Sequence, residues 1–214
     1  MLPMGVAASF AAITVTGISA AQTLPAPTGQ TVVSSCKQFN ALLSTVGVQM
    51  EGSNNPGTAG RTKVLFATRI DTSIPMSTTR RRNNVQVACL RVMMRGSVQI
   101  AALDSIALEW RPSSFRSIQC GLQVSDWNRL VSLHEQQHIH DAILITQDFS
   151  ALVNRPLEWC APNILMAETA ILERLNTLSA KVSDAAQREF DRRSASFHQT
   201  VAGAPIRPLD CSIC

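Results

Sequence analysis

The chain contains no tyrosine, and its four histidines all fall after residue 133. No phosphate-binding Gly-rich loop occurs, which argues against nucleotide chemistry. No nucleophile-elbow pattern occurs, which argues against a serine hydrolase. Internal repeats are also missing, so nothing points to a solenoid. With 45% hydrophobic and 16% charged residues, the composition is that of a globular protein. The net charge of +4 is mild, and Arg80-Arg81-Arg82 stands among Thr and Asn without interleaved aromatics. A solvated turn accounts for that run better than a nucleic-acid surface does.

Long hydrophobic runs are scarce. Val6 to Ala21 is apolar and uncharged, but Thr14, Thr16, Gly17 and Ser19 dilute it and it is short for a membrane span. It ends in Ser19-Ala20-Ala21-Gln22, with small residues where a signal peptidase reads them. Residues 1–21 are therefore expected to be a cleavable export signal, although no Lys or Arg precedes the run. Six cysteines (Cys36, Cys89, Cys120, Cys160, Cys211 and Cys214) fit a secreted or periplasmic protein with disulfides, in pairings that the sequence leaves open. Cys211-Ser212-Ile213-Cys214 does not open a helix and has no matching Cys pair elsewhere. Disulfides that tie down the tail suit it better than a redox pair or a zinc ribbon.

The pattern implies an α+β chain with a β-rich N-terminal half and two long helices after it. Residues 22–30 form a Pro/Gly/Thr linker, 31–125 a β-rich subdomain, 126–200 a helical metal-binding subdomain and 201–214 a disulfide-bearing tail. Within these, a short helix is expected from Cys36 to Val46 and a loop from Glu51 to Gly60. Strands are expected at 63–70, 84–94 and 97–103, the last two joined by a tight turn at Arg95-Gly96. Residues 110–124 look irregular. A helix then starts at Ser125 or Asp126 and runs to about Leu152. A loop covers 154–162, bounded by Pro156 and Pro162, and a second helix runs from Asn163 to about Arg193.

The first of these helices carries His134-Glu135-Gln136-Gln137-His138. On a helix this spacing sets two imidazoles one turn apart on one face, where both ring nitrogens can reach one zinc ion. The glutamate between them is placed to deprotonate a water held at such a metal. Steps of three and four from the histidines meet Trp127, Leu130, Val131, Asp141, Ala142 and Ile145, all apolar or small except Asp141, so the imidazoles lie on the core-facing stripe of an amphipathic helix. His140 lies off that stripe. A catalytic zinc needs a third protein ligand, and the candidates are His198, Glu168, Glu173, Asp141 and Asp191. In a plain antiparallel hairpin of the two helices, His198 would overshoot His138 by roughly 30 Å at about 1.5 Å per residue. Glu173 lies closer to the hairpin position.

Trp127-Asn128-Arg129, a four-residue spacer and the His134-Glu135-x-x-His138 run together resemble a bacterial family of secreted zinc-dependent proteases. That family is a domain-of-unknown-function family with an exported β-rich part, the motif helix and a second long helix. Phe190-Asp191 and Ser196-Phe197-His198-Gln199 resemble its closing elements, with Phe190 where a Tyr is usual and Gln199 where a Gly is usual. The resemblance covers about residues 31–200. It implies a zincin-like fold, His198 as the third zinc ligand and Asp191 as a partner that orients an imidazole. It further implies hydrolysis of a peptide or protein substrate with Glu135 as the base. With no Tyr in the chain, His140 or Arg192 would have to supply the oxyanion donor, if any group does. The alternative is a non-enzymatic exported binding or structural protein with a closed or vestigial zinc site.

Overall fold

A computed structural model describes residues 29–31, 35–46, 59–73, 75–83, 85–203 and 206–214. The expected export signal, most of the linker and nearly all of the expected 51–60 loop lie outside the described residues. The elements are β1 (Gly29–Thr31), α1 (Cys36–Val46), β2 (Gly60–Thr72), β3 (Met76–Arg82), β4 (Val85–Trp110), α2 (Ile118–Leu152), β5 (Pro156–Ala161) and α3 (Ile164–His198). The chain is α+β, with its longest strands in the first half and two 35-residue helices in the second. Among the described residues, no helix is long and apolar enough to cross a membrane.

β4 is the spine, because every other strand pairs with it. β2 and β3 follow each other antiparallel along β4, from Gly60 opposite Ala107 to Arg82 opposite Val85. Together they make one long hairpin with β4, and at its tip Asn83 takes a positive φ of 49°. Two-residue hairpin loops need such left-handed residues, and Asn tolerates them. β5 lies antiparallel on β4 from Ala88/Ala161 to Met93/Pro156, and β1 runs parallel to its end.

Several expectations about local structure are corrected. There is no turn at Arg95-Gly96: β4 runs straight through, with Gly96 opposite Ile70. A Cβ at Gly96 would lie 2.6 Å from Val153 Cγ2 and 2.8 Å from the Arg69 carbonyl oxygen. The glycine is there for close approach, which lets the end of α2 seat against the sheet. Arg80, Arg81 and Arg82 belong to exposed β3, not to a turn, and Arg80 pairs with Glu158 of β5 at 2.9 Å. The expected 154–162 loop contains β5, with Pro156 at the first strand position, where its missing N–H does least harm.

α2 begins at Ile118, earlier than Ser125 or Asp126. Ser117 caps it, its Oγ accepting the Cys120 N–H at 3.0 Å. Cys120 and Val124 are buried and extend the Trp127–Val131 stripe backwards, which leaves Ser125 and Asp126 on the exposed side of a continuing helix. Asn163 caps α3 in the same way, accepting the Met166 N–H at 2.9 Å. α3 runs on past Arg193 to His198.

Three apolar clusters fill the space between sheet and helices. Phe39, Trp110, Trp127 and Val131 join α1, the end of β4 and the first half of α2. Val64, Val98, Ile145 and Phe190 join β2, β4 and the two long helices. Leu90, Val92, Ala167 and Ile171 join β4 to the start of α3. The cysteines pair as Cys36–Cys211, Cys89–Cys160 and Cys120–Cys214. The two tail cysteines thus bond to α1 and α2, not to each other, and the Trp127 indole N–H donates to the Arg207 carbonyl at 2.9 Å.

The plain hairpin of α2 and α3 does not occur. After α2 ends, β5 carries the chain along β4 towards the tip of the long hairpin. Six strand residues advance the chain by about 20 Å. α3 therefore starts well beyond the end of α2 and must run further back to reach any given level. Ser183 bonds Thr68 Oγ1 at 2.9 Å, Phe190 packs on Phe66 at 6.1 Å, and the last residue of α3 arrives beside α2.

Candidate metal centre

The His134 and His138 rings stand 5.1 Å apart on one side of α2. His198 closes on both: its Nε2 is 3.2 Å from His134 Nε2 and 3.2 Å from His138 Nε2. Phe197, one residue earlier, packs its ring 5.0 Å from His134 and 5.3 Å from His138. That aromatic wall fixes the imidazole planes from the α3 side. His138 is buried and the other two are half-buried.

Hydrogen bonding does not satisfy this arrangement. Each neutral imidazole has one N–H and one in-plane lone pair. His198 Nε2 can donate to one neighbour or accept from one, so it cannot be well bonded to both. The Nδ1 atoms of His134 and His138 are buried without a partner among the described residues. Two nitrogens each bound at about 2.0–2.1 Å to a tetrahedral zinc lie about 3.3 Å apart. The two 3.2 Å separations are close to that value, so the trio is placed where it could hold one metal ion. Burial, with repulsion from His198, pushes His134 down to about 4. Burial, with repulsion from His134 and His198, does the same to His138, and burial lowers His198 as well. At neutral pH all three rings are neutral and offer lone pairs.

Glu135 faces the sheet. It is 2% exposed, and Thr62 Oγ1 of β2 donates to its Oε2 at 2.6 Å. Burial pushes its carboxyl up to about 7, against the opposing pull of the Thr62 hydrogen bond. Its other oxygen lies over Gly60, where a Cβ would collide with it.

The structure brings His134, His138 and His198 together, with Glu135 beside them. Asp191 is exposed, and its carboxylate accepts from Gln187 at 3.3 Å. Asp141 accepts from Gln137 at 3.1 Å. Glu168 and Glu173 lie at the opposite end of α3 from His198, about 45 and 38 Å away along the helix axis. His140 is exposed, and Arg192 is held by Glu189 at 2.7 Å. Cys89, Glu158 and Cys160 also cluster, but the two sulfurs are bonded to each other and offer no thiolate. Gly60 and Thr62 lie against the Glu135 carboxylate, and Ser105 bonds the Thr62 hydroxyl behind it. Nothing in a Thr within a strand or a Gly at a strand start marks them in the sequence.

Comparison of the chain with protein-family models, curated proteins and solved structures finds no match in any of the three. The functional reading therefore rests on the site itself.

Proposed function

We propose that the chain is an exported zinc metallopeptidase of zincin-like build, with His134, His138 and His198 as the metal ligands and Glu135 as the general base. The observation that carries this reading is that His198 Nε2 lies 3.2 Å from the Nε2 atoms of both His134 and His138, next to a buried glutamate. Three imidazoles suit zinc and leave a fourth position for water or substrate. When bound, zinc polarises a carbonyl and makes water a stronger acid.

The remaining chemistry belongs to the chain. Glu135 takes a proton from the attacking water as its oxygen bonds to the scissile carbonyl carbon. The same carboxyl then gives that proton to the departing amine nitrogen as the C–N bond breaks. An oxidising compartment fits the three disulfides.

The test is metal analysis of the purified chain combined with peptide-library cleavage, for wild type, Glu135→Gln and His198→Ala. The reading expects zinc and cleavage in wild type, zinc without cleavage in Glu135→Gln, and loss of both in His198→Ala. Full cleavage by Glu135→Gln would overturn it.

One observation favours a second reading, a non-enzymatic protein with a closed zinc site. The chain has no Tyr, and the substitutes Arg192 and His140 are turned to Glu189 and to solvent. A fourth protein ligand on the metal, with no cleavage, would decide for that reading.

A further inference from the structure

The Glu135 carboxylate meets the sheet through two hydroxyls in series. Thr62 on β2 and Ser105 on β4 are register partners, and their hydroxyl oxygens are 2.9 Å apart. Thr62 Oγ1 is in turn 2.6 Å from Glu135 Oε2. An ionised carboxylate only accepts, so the Thr62 O–H must donate to Glu135. That leaves the Thr62 oxygen to accept from the Ser105 O–H, and the direction of the whole chain is set. On the other side of the carboxylate lies Gly60, two residues before Thr62. A Cβ there would collide with Oε1 and fall 2.7 Å from Cδ. A side chain at residue 60 and the carboxylate cannot occupy the same place.

We infer that Gly60, Thr62 and Ser105 form a cradle on the β2–β4 ladder that holds the Glu135 carboxylate in the one orientation in which it serves as base. Thr62 is the positioning residue, Ser105 orients the Thr62 hydroxyl, and Gly60 leaves the space. The inference rests on the reading of Glu135 as the base. It adds that the motif helix alone does not aim this group. The helix supplies the carboxylate and two imidazoles, but strands supply the contacts that stop the carboxylate from rotating. A hydrogen bond to a charged group in a site of low dielectric is strong enough to matter here.

The experiment uses the full zinc-loaded chain and compares Thr62→Val, Thr62→Ser and Ser105→Ala with wild type. Thr62→Val is close to isosteric and removes the hydroxyl, which is both the donor to Glu135 and the acceptor for Ser105. It should keep its zinc and lower kcat about ten- to a hundredfold with KM little changed. Thr62→Ser should recover most of the rate, and Ser105→Ala should fall between. Carbon-13 NMR of the Glu135 carboxyl, identified by its loss in Glu135→Gln, gives a readout that needs no substrate. Its titration midpoint should rise by about one unit in Thr62→Val, because the anion has lost a donor, and return in Thr62→Ser. A Thr62→Val protein with wild-type kcat, or with an unmoved carboxyl midpoint, would overturn the inference. If the zinc-loaded wild type cleaves nothing, the peptidase reading falls, and the midpoint alone then judges the cradle.

Discussion

His134 and His198 are separated by 64 residues, yet their Nε2 atoms lie 3.2 Å apart and their rings are within 15° of parallel. Neither ring can reach this pose by local structure. It depends on α2, β5 and α3 all being the length they are, and it makes the histidine cluster a tertiary property of the fold.

Removing His198 should therefore cost more than removing a group that only orients a ligand. Loss of an orienting partner costs metal sites about ten- to a hundredfold in affinity, so His198→Ala should exceed about a hundredfold. Asp191→Ala should leave affinity unchanged, since that carboxylate faces solvent and Gln187. Competition titration with a zinc chelator measures both. Equal affinity of wild type and His198→Ala would remove His198 from the site.

The pH dependence of the metal-free chain has two opposing parts. His134 and His138 titrate at about 4 when folded, against 6.5 for an imidazole free in water. Between those values the unfolded chain binds protons that the folded chain refuses, so stability falls as pH drops from 6.5 to about 4. Glu135 acts the other way. Its folded carboxyl titrates at about 7 against 4.5, so its contribution is lost as pH rises through that window. Glu135→Gln removes this second part. Urea denaturation in EDTA should find the variant gaining on wild type from pH 5 to pH 8, about the Glu135 window. A constant difference across that range would contradict the burial of this carboxyl.

Gly96→Ala should destabilise the fold by about 1–3 kcal/mol, because the added carbon meets Val153 on one side and a backbone carbonyl on the other. The carbonyl cannot move without disturbing the β2–β4 ladder. Chemical denaturation reads the change directly, and a neutral result would mean that α2 does not seat on β4 at this point.

Replacing Cys36 and Cys211 together by Ser should cost about 2–5 kcal/mol, the usual range for a native disulfide closing a long loop. The variant should keep its far-UV circular dichroism while its thermal midpoint falls. Loss of zinc stoichiometry at ambient temperature would show that the tail also supports the metal centre.

The motif helix is legible in the sequence because its two kinds of signal agree: ligand spacing and apolar periodicity both put His134 and His138 on the stripe that contains Trp127 and Val131. Its start is not. Ser125 and Asp126 are good caps by type, but so is Ser117, and only the burial of Cys120 and Val124 decides between them. Gly96 shows the same limit from the strand side. A glycine between two β patterns reads equally as a turn or as a place where a neighbour comes close, and the neighbour, Val153, is far away in sequence. His198 is reached through the resemblance and not by spacing. A hairpin estimate misplaces it because Pro156 and Pro162 read as loop markers, when they bracket a strand that shifts the whole second helix.

That strand gives the chain an unusual intolerance to insertion and deletion. One residue added within α3 ahead of His198 would carry the imidazole round by about 100° and forward by about 1.5 Å. A full turn would restore the direction but displace the ring by about 5.4 Å, more than a metal–ligand bond can span. Changes of length in β5 shift α3 by about 3.3 Å per residue and do not match the helical step. Only matched changes come close: two residues added to β5 and four to α3 shift the ring by about 6.6 and 6.0 Å in opposite senses and leave it turned by about 40°. Between Leu152 and His198, residue identity has room to drift at exposed positions, but residue number can change only in such matched steps.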